Sequence, residues 1–411
     1  MTDKTKKTGL SRRGFVAAAA GTAVAAASIA GFPSIVRAAD GVKLGLIHPV
    51  TGFLQYSGGQ CREGALMAVE EINAAGGIKA LGGAKIEPVL ADAQSKPDIG
   101  ASEVEKLNEE GVNAIVGAYA SSISLATTQA AAKHSIPHVV DVGVSDKITG
   151  RGLANTFRFG PGYGVIADFA VNNLVTINKA AGSPAKTVMI VHEESLFGTG
   201  TAGLLSKKLP EHGFEVVEVI KHANPTRDFT NIVLKVKQNN PDLIIPANYY
   251  NEYVLFARTL RQQRVQPKGI YSVLGGAASS FKFLQEFPDA AQYIMDCNHW
   301  YNPKKPGALA LRKKTEEKGL FYTYEVFLAY TAVTFVADAM ERAGSADREA
   351  VIAALASSTW SDHFMPYGPT KIVNGQNTGA PPVNTQVLGD NIEVIFPKEF
   401  ASADPVFPMP A

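Results

Sequence analysis

The sequence predicts an α/β protein with two or more domains, in which parallel β-sheets are covered by helices on both faces. Short apolar, β-branched runs alternate with amphipathic helical stretches along the chain after residue 41. The chain has 411 residues and 46% hydrophobic content, which is enough for more than one domain of the usual size, about 150 residues. Alternation of this kind is typical of strand–helix–strand units, whose sheets are buried on both faces.

The order of the elements follows from the periodicity of their apolar residues. Nine apolar runs are predicted as strands, and they cover residues 42–50, 85–93, 114–119, 137–143, 187–194, 214–222, 242–249, 268–276 and 293–300. Amphipathic helices are predicted over residues 61–75, 99–110, 165–178, 228–239, 252–263 and 324–343. The glycine-rich segment 152–164 is interpreted as a crossing between two domains, and residues 384–388 and 392–396 as a hairpin.

The first 38 residues are predicted to be an export signal that is cleaved after Ala38. Basic residues precede an apolar run over residues 15–36, which is mostly alanine and therefore weak for a membrane span. An uncleaved N-terminal anchor is the alternative. The segment SRRGFV, residues 11–16, resembles the twin-arginine motif, which the export route for folded proteins reads as an address. The mature chain is then a mildly acidic periplasmic protein, for which nucleic acid is not a predicted partner.

The two cysteines, Cys61 and Cys297, leave open whether a disulfide forms. They are far apart in the sequence, and bridging requires their Cα atoms to come within a narrow range of distances. Neither belongs to a C-x-x-C motif, and no grouping of His, Cys and acidic residues shows the spacing of metal ligands. We therefore predict two buried, unreactive thiols, no metal and no cofactor.

The loops that follow the predicted strands are where a site is expected, because ligands of parallel sheets bind beyond the carboxyl ends of the strands. The loop PVTGFLQYSGGQ, residues 49–60, is predicted to be flexible and contains Tyr56, but it lacks the phosphate-loop pattern. The segment YASS, residues 119–122, ends a buried strand and opens an alanine-rich helix. Ser121 or Ser122 is predicted to cap this helix, and the N–H groups of the first turn can hold a carboxylate.

A nucleophilic role for Ser121 is the competing interpretation of the same turn. The nucleophile elbow requires glycine on both sides of the serine, and Ser121 has none. A base within hydrogen-bond reach is also required, and no histidine with an orienting acid is evident. His138 lies within an apolar strand and is interpreted as a core residue. The chain is therefore predicted not to be an enzyme.

Several segments together resemble the branched-chain amino-acid type of extracytoplasmic solute-binding proteins of ABC importers. They are GALMAVEEINAAGGI (64–78), VGAYASS (116–122), VHEESLFGTG (191–200), TRDFTNIVLKVKQNNPDLIIPANYYNE (226–252) and FLAYTAVTFVADAMERAG (327–344). The resemblance implies a type I periplasmic binding protein, in which two Rossmann-like lobes joined by three hinge crossings close around a ligand. Lobe 1 is expected over residues 39–160 and 302–380, and lobe 2 over residues 161–301 and 381–411.

The resemblance also implies which residues bind the ligand. It assigns the ligand carboxylate to Ser121 and the N–H groups that follow it, and it aligns the threonine that assists the ligand ammonium group with Val144. The acid that neutralises this ammonium should fall near position 274, where the chain has leucine. The residues predicted to bind the ligand are Tyr56, Tyr119, Ser121, Ser122, Val142, Val144, Ser145, Tyr163, Phe197, Tyr249, Leu274 and Glu325.

The missing acid leaves two alternatives for the ligand. An enclosed ammonium without a carboxylate partner costs on the order of several kcal/mol. Either Glu325, Asp141 or Asp296 replaces the acid, or the ligand is an aromatic or aliphatic carboxylate without an ammonium group. We predict a monomer that delivers its ligand to an ABC permease in the inner membrane; a sensory module for a receptor kinase and an amide- or urea-type ligand are the alternatives.

Overall fold

The structure, a computed structural model, describes residues 41–410, and these residues form two seven-stranded sheets flanked by helices. The strands are β1 (Val42–His48), β2 (Ile86–Asp92), β3 (Ala114–Gly117), β4 (His138–Val140), β5 (Thr156–Arg158), β6 (Thr187–Glu193), β7 (Glu215–His222), β8 (Leu243–Ala247), β9 (Gly269–Val273), β10 (Met295–Asn298), β11 (Ile372–Val373), β12 (Gln376–Asn377), β13 (Val383–Leu388) and β14 (Asn391–Phe396). The predicted export signal and the twin-arginine segment lie outside the described residues.

Helices cover the faces of both sheets. They are α1 (Gln55–Ala74), α2 (Pro97–Glu109), α3 (Ser121–Ala132), α4 (Asp146–Thr149), α5 (Tyr163–Ala180), α6 (Leu196–Glu211), α7 (Thr230–Asn239), α8 (Tyr250–Gln262), α9 (Phe281–Glu286), α10 (Pro288–Ala291), α11 (Pro306–Glu317), α12 (Tyr324–Ala343) and α13 (Arg348–Ala356). Within residues 41–410, no helix combines the length and apolar composition needed to cross a bilayer.

The strands follow one another in corresponding order across the two sheets. The strand order is β11-β12-β5-β4-β3-β1-β2 in the first sheet and β14-β13-β10-β9-β8-β6-β7 in the second. The strands from β1 to β5 and from β6 to β10 pair in parallel, which confirms the predicted parallel sheets. Both sheets are nevertheless mixed, because β11 is antiparallel to β12, and β13 is antiparallel to both β10 and β14. The hairpin predicted at the end of the chain is β13 and β14.

The chain passes between the two sheets three times. It leaves the first sheet after β5, returns from β10 to β11, and leaves again after β12. We call the part built on the first sheet lobe 1 and the part built on the second sheet lobe 2. The residue boundaries given above for the two lobes stay a prediction.

Helix α1 begins earlier than predicted. Residues 55–60, assigned above to a flexible loop, form its first turns, and Tyr56 is therefore helical. Gly58 explains the difference, because any Cβ at this position would overlap the carbonyl oxygen of Pro49. Glycine lets the helix start directly beside the end of β1, although glycine is a poor helix former.

Helices α1 and α12 pack against each other along the buried side of lobe 1. Helix α12 spans Tyr324–Ala343, as predicted, and most of its residues are buried. At Gly64 the backbone of α1 lies so close to the backbone of Val326 that a Cβ would overlap its carbonyl oxygen. Cys61 of the same helix and Cys297 of β10 are both buried and unpaired, as predicted.

Candidate functional site

A cavity lies between the lobes at the carboxyl ends of the parallel strands. The space between its walls is about 360 Å³ when the open solvent at its mouth is included. It is lined by Tyr119, Ala120, Ser121, Val142, Val144, Phe197, Asn248, Tyr249, Leu274, Gly276, Asn298, His299 and Tyr324.

The cavity brings together seven of the twelve residues predicted to bind the ligand. Those seven are Tyr119, Ser121, Val142, Val144, Phe197, Tyr249 and Leu274. The other five, Tyr56, Ser122, Ser145, Tyr163 and Glu325, are not among the residues that line it. Ser145 instead caps α4 and lies 3.2 Å from the Tyr163 hydroxyl, and Tyr56 packs on Tyr250 with ring centroids 4.3 Å apart.

Ser121 does not cap the helix that it begins, and neither does Ser122, so the predicted serine cap is wrong. Helix α3 starts at Ser121, its N-cap residue is Ala120, and no side chain bonds to its first N–H groups. The Ser121 Oγ accepts hydrogen bonds from the N–H groups of Val144 and Ser145, both at 3.2 Å. The serine therefore bonds to the loop after β4 instead of its own helix, and α3 begins without a side-chain cap.

Three helices direct uncapped N-termini at this cavity. Ser121 opens α3, Tyr249 precedes α8, and Tyr324 opens α12, and none of the three helices has a side-chain cap. Helix α6 differs, because Ser195 and Glu193 bond to the N–H groups at its start. The N-terminus of a helix carries partial positive charge and free donors. Glu252 and Glu325 lie in the first turns of α8 and α12, whereas α3 has no acid in its first turn. The start of α3 is therefore the part of the cavity suited to an anion.

Each lobe contributes to the cavity wall a residue in the left-handed conformation, in a turn that a buried aspartate supports. Tyr119 follows β3 with φ 61° and Leu274 follows β9 with φ 59°, so both adopt the left-handed conformation that non-glycine residues rarely take. Asp141 accepts a hydrogen bond from the Tyr119 N–H at 3.0 Å, and Asp296 accepts one from the Gly275 N–H at 3.0 Å. Strained backbone of this kind concentrates at ligand sites, and the buried aspartates stabilise it here.

The three acids proposed above as ammonium partners differ in what they contact. Asp141 lies 2.9 Å from His48 Nε2; its burial opposes ionisation, but this contact and backbone donors hold its pKa below the usual value. Asp296 accepts a bond from Ser279 at 2.7 Å, and burial raises its pKa to about 6. Glu325 is also buried, and neither of its carboxyl oxygens makes a hydrogen bond of normal geometry within the described chain. Burial raises its pKa to about 7, although the nearby hydroxyls of Thr323, Ser57 and Tyr324 oppose this shift.

The tertiary structure also gathers three metal-ligand side chains that the sequence spacing did not reveal. Ligand atoms of His48, Cys61 and Asp141 lie within 4.8 Å of one another, and all three residues are buried. Nε2 of His48 is hydrogen-bonded to the carboxylate of Asp141, and Nδ1 accepts a hydrogen bond from the guanidinium of Arg62 at 3.4 Å. Because both ring nitrogens are engaged and the cationic Arg62 already adjoins them, we interpret this group as a buried hydrogen-bonded cluster in which a neutral His48 links Arg62 to Asp141.

Six residues of the cavity wall are not among the twelve that were predicted to bind the ligand. They are Ala120, Asn248, Gly276, Asn298, His299 and Tyr324. Asn298 ends β10 and His299 follows it, although the strand was predicted to continue to residue 300. With the strand end placed correctly, the rule that ligands bind beyond the carboxyl ends of strands would have found both. Both ring nitrogens of His299 lack a hydrogen-bond partner among the described residues.

A profile of the family described as periplasmic binding protein matches residues 41–387. The chain belongs to the periplasmic binding protein family. The leucine-, isoleucine-, valine-, threonine- and alanine-binding protein of Pseudomonas aeruginosa is 29% identical over 348 residues, which are 82% of this chain and 87% of that protein.

Solved structures share the fold of this family member. The leucine-binding protein LivK of Thermotoga maritima has a TM-score of 0.73 and 24% identity, over 86% of this chain and 97% of that one. A solute-binding protein of an ABC transporter from R. palustris, in complex with benzoate, has a TM-score of 0.74 and 19% identity, over 86% of this chain and 95% of that one. The predicted resemblance and the type I two-lobe fold are confirmed, and so is the prediction of a binding protein instead of an enzyme.

Proposed function

We propose that this periplasmic binding protein is the substrate-binding component of an ABC importer, which captures a small carboxylate between its lobes and delivers it to a membrane permease. The observation that carries the proposal is Ser121 at the uncapped start of α3, inside the cavity. A carboxylate there would accept hydrogen bonds from the Ser121 hydroxyl and the N–H groups of the first turn. The facing wall of Phe197, Tyr249 and Leu274 would pack against the apolar part of the ligand.

The ligand carries no ammonium group in the version of this proposal that we favour. No Asp or Glu is among the residues of 41–410 that line the cavity. Asp141 and Asp296 already accept hydrogen bonds from backbone N–H groups and side chains. The benzoate bound by the R. palustris protein is an acid of this class.

An amino acid is the second candidate ligand, and Glu325 favours it. This carboxyl group has no hydrogen-bond partner in the described chain, and it directly follows Tyr324, a cavity residue. A small rearrangement on ligand binding would let it meet an ammonium group. The P. aeruginosa relative is named for amino acids of this kind.

Calorimetric titration of the mature chain separates the two candidates. The protein, unfolded and refolded to remove any carried ligand, is titrated with leucine, with 4-methylpentanoate and with benzoate. We expect at least one of the amine-free acids to bind, and leucine to bind more weakly than 4-methylpentanoate, because no cavity acid pairs with its ammonium. Tight binding of leucine alone would instead favour the amino-acid candidate. In that case Glu325→Gln should abolish the binding of leucine.

Replacing Ser121 by alanine is expected to weaken carboxylate binding about 10- to 100-fold, because a hydrogen bond to a charged group contributes about 1.5–3 kcal/mol. Ser122→Ala is the matched control, since Ser122 lies in the same turn outside the cavity wall. The dissociation constants of both variants are measured by calorimetry, and thermal melting confirms that each variant is folded. Equal losses in the two variants would contradict the assignment of Ser121.

The same proposal assigns the mature chain to the periplasm. Export through the twin-arginine route rests on residues 11–16, which lie outside the described residues.

A further inference from the structure

We propose that His299 binds a neutral oxygen of the ligand, a hydroxyl or a carbonyl, so that the ligand is a hydroxy- or oxo-carboxylate. This inference rests on the proposed carboxylate function and specifies the substrate class of the same cavity. In this proposal His299 makes the protein prefer hydroxy and oxo acids over the matching acids that carry hydrogen or an ammonium group in place of the oxygen.

The imidazole of His299 is a buried polar group whose partner the described chain does not supply. The residue is 2% exposed and lines the cavity. Neither Nδ1 nor Nε2 has a hydrogen-bond partner among residues 41–410. Buried polar side chains almost always have at least one partner, and an exception that faces a ligand cavity points to the ligand as the partner.

The ring is held in position from two sides. The backbone N–H of His299 donates to Asn298 Oδ1 at 2.8 Å, and Asn298 Nδ2 donates to Asp296 at 2.9 Å. Gly160 lies against the ring, since a Cβ at this glycine would come within 3.0 Å of the ring carbon Cε1. The imidazole is therefore supported beside the cavity with its Cε1 and Nδ1 nearest Gly160, and Nε2 is the ring nitrogen that lies farther from this glycine. A supported position is what selective hydrogen bonding requires.

The surroundings of His299 keep its imidazole ring neutral, which favours a neutral ligand group beside it. The buried guanidinium of Arg158 holds the loop after β4, donating to the carbonyls of Gly143 at 3.1 Å and Ser145 at 2.9 Å. Burial and this positive charge lower the pKa of His299 to about 3, so that the ring is neutral. A neutral imidazole offers one N–H donor and one acceptor, which suits a carbonyl or hydroxyl oxygen.

Neither an ammonium group nor a second carboxylate fits this end of the cavity as well. Arg158 is itself paired with Asp146 at 3.3 Å, and none of the residues of 41–410 that line the cavity is an acid, so a protonated amine would find no carboxylate on the cavity wall. A second carboxylate would lose its hydration against a largely apolar wall that includes Phe197 and Leu274, with one neutral donor in return.

The first test uses the mature chain without any substitution. Calorimetry compares matched ligands: 4-methylpentanoate with its 2-hydroxy and 2-oxo derivatives and with leucine, 3-phenylpropanoate with phenyllactate and phenylpyruvate, benzoate with 4-hydroxybenzoate, and glutarate as a dicarboxylate. In at least one series we expect the hydroxy or oxo acid to bind at least about 10-fold more tightly than the parent acid, because a site built to bind an oxygen rejects analogues that lack it. Equal affinities within every series, or tightest binding of glutarate or leucine, would overturn the role of His299.

The second test uses variants and the same ligands. His299→Leu removes both nitrogens, and the ratio of affinities between the oxygenated and the parent acid should fall to about 1. His299→Gln restores a donor and an acceptor and should recover part of the ratio. His212→Leu, the same substitution at an exposed histidine, should leave the ratio unchanged.

The two proposals fail in different ways. If His299→Leu keeps the preference of the unaltered chain, the inference is wrong and the carboxylate function stands. If none of the acids binds, the proposed carboxylate function is overturned, and the role of His299 with it.

Discussion

Replacing Glu325 by glutamine is expected to raise the free energy of unfolding by about 3 kcal/mol at about pH 8 and to change it little at about pH 4.5. Glu325 lies in the first turn of α12, is 1% exposed, and has no hydrogen-bond partner for either carboxyl oxygen within residues 41–410. Glutamine has nearly the same shape and no charge. The substitution therefore removes the cost of burying the carboxylate and keeps the packing.

The direction of the pH effect follows from the raised pKa. Burial moves the pKa of Glu325 from 4.5 to about 7 in the folded chain. Between these two values the unfolded chain is ionised while the folded chain holds its proton, so the free energy of unfolding falls as the pH rises. Above about pH 7 both states are ionised and the loss stays constant.

Urea unfolding of the ligand-free chain at several pH values measures this effect. The difference between Glu325→Gln and the unaltered chain should grow between about pH 4.5 and 7 and then level off. Asp296 also titrates abnormally, with its pKa raised to about 6, but it is present in both proteins and cancels in the difference. Glu317→Gln, at an exposed position of α11, is the control and should give no such trend. A difference that is independent of pH would contradict the prediction.

Replacing Gly64 by alanine is expected to lower the free energy of unfolding by about 3 kcal/mol, at the upper end of the usual cost of overpacking. The added methyl group would meet the backbone carbonyl of Val326 in the first turn of α12, where α12 packs against α1. A side chain can rotate away from an intruding methyl group, but a helical carbonyl moves only if the two helices separate. The cost should therefore appear as lost stability of lobe 1 as a whole.

Gly59 of the same helix provides a matched substitution with the opposite expected sign. A Cβ at Gly59 would have no heavy atom of the described chain within 4 Å beyond the adjacent residues and the backbone of its own helix. Gly59→Ala should therefore raise the free energy of unfolding by about 0.5–1 kcal/mol through helix propensity alone. Chemical denaturation of the two variants side by side measures both effects. Stabilisation of both variants, or equal destabilisation, would show that α1 and α12 do not pack as the structure has them.

The elements that the sequence predicted well are those whose signal is local. The apolar spacing over residues 324–343 predicted α12 to the residue, because a helix buried on most sides carries its pattern along its whole length. The hairpin of β13 and β14 was predicted because two short apolar runs flank a tight turn. The predicted loop over residues 49–60 was wrong for residues 55–60, which are helical. Gly58 disfavours a helix by propensity, whereas here it is needed for the close contact with Pro49.

The candidate site likewise has features that local sequence predicts and features that depend on distant residues. That Ser121 lies at the carboxyl end of a buried strand and opens a helix can be read from a few neighbouring residues, and the structure brings it to the cavity. Three other features could not be predicted from neighbouring residues. They are the hydrogen bond between the Ser121 hydroxyl and the loop of Val144, the contact of Asp141 with His48, and the lack of partners for Glu325 and His299 within residues 41–410. Each depends on residues far apart in the sequence. The sequence by itself determined the alternating fold and the strand ends that carry a site, because these follow from local periodicity; tertiary packing alone decided which buried polar groups find partners and which are left for a ligand.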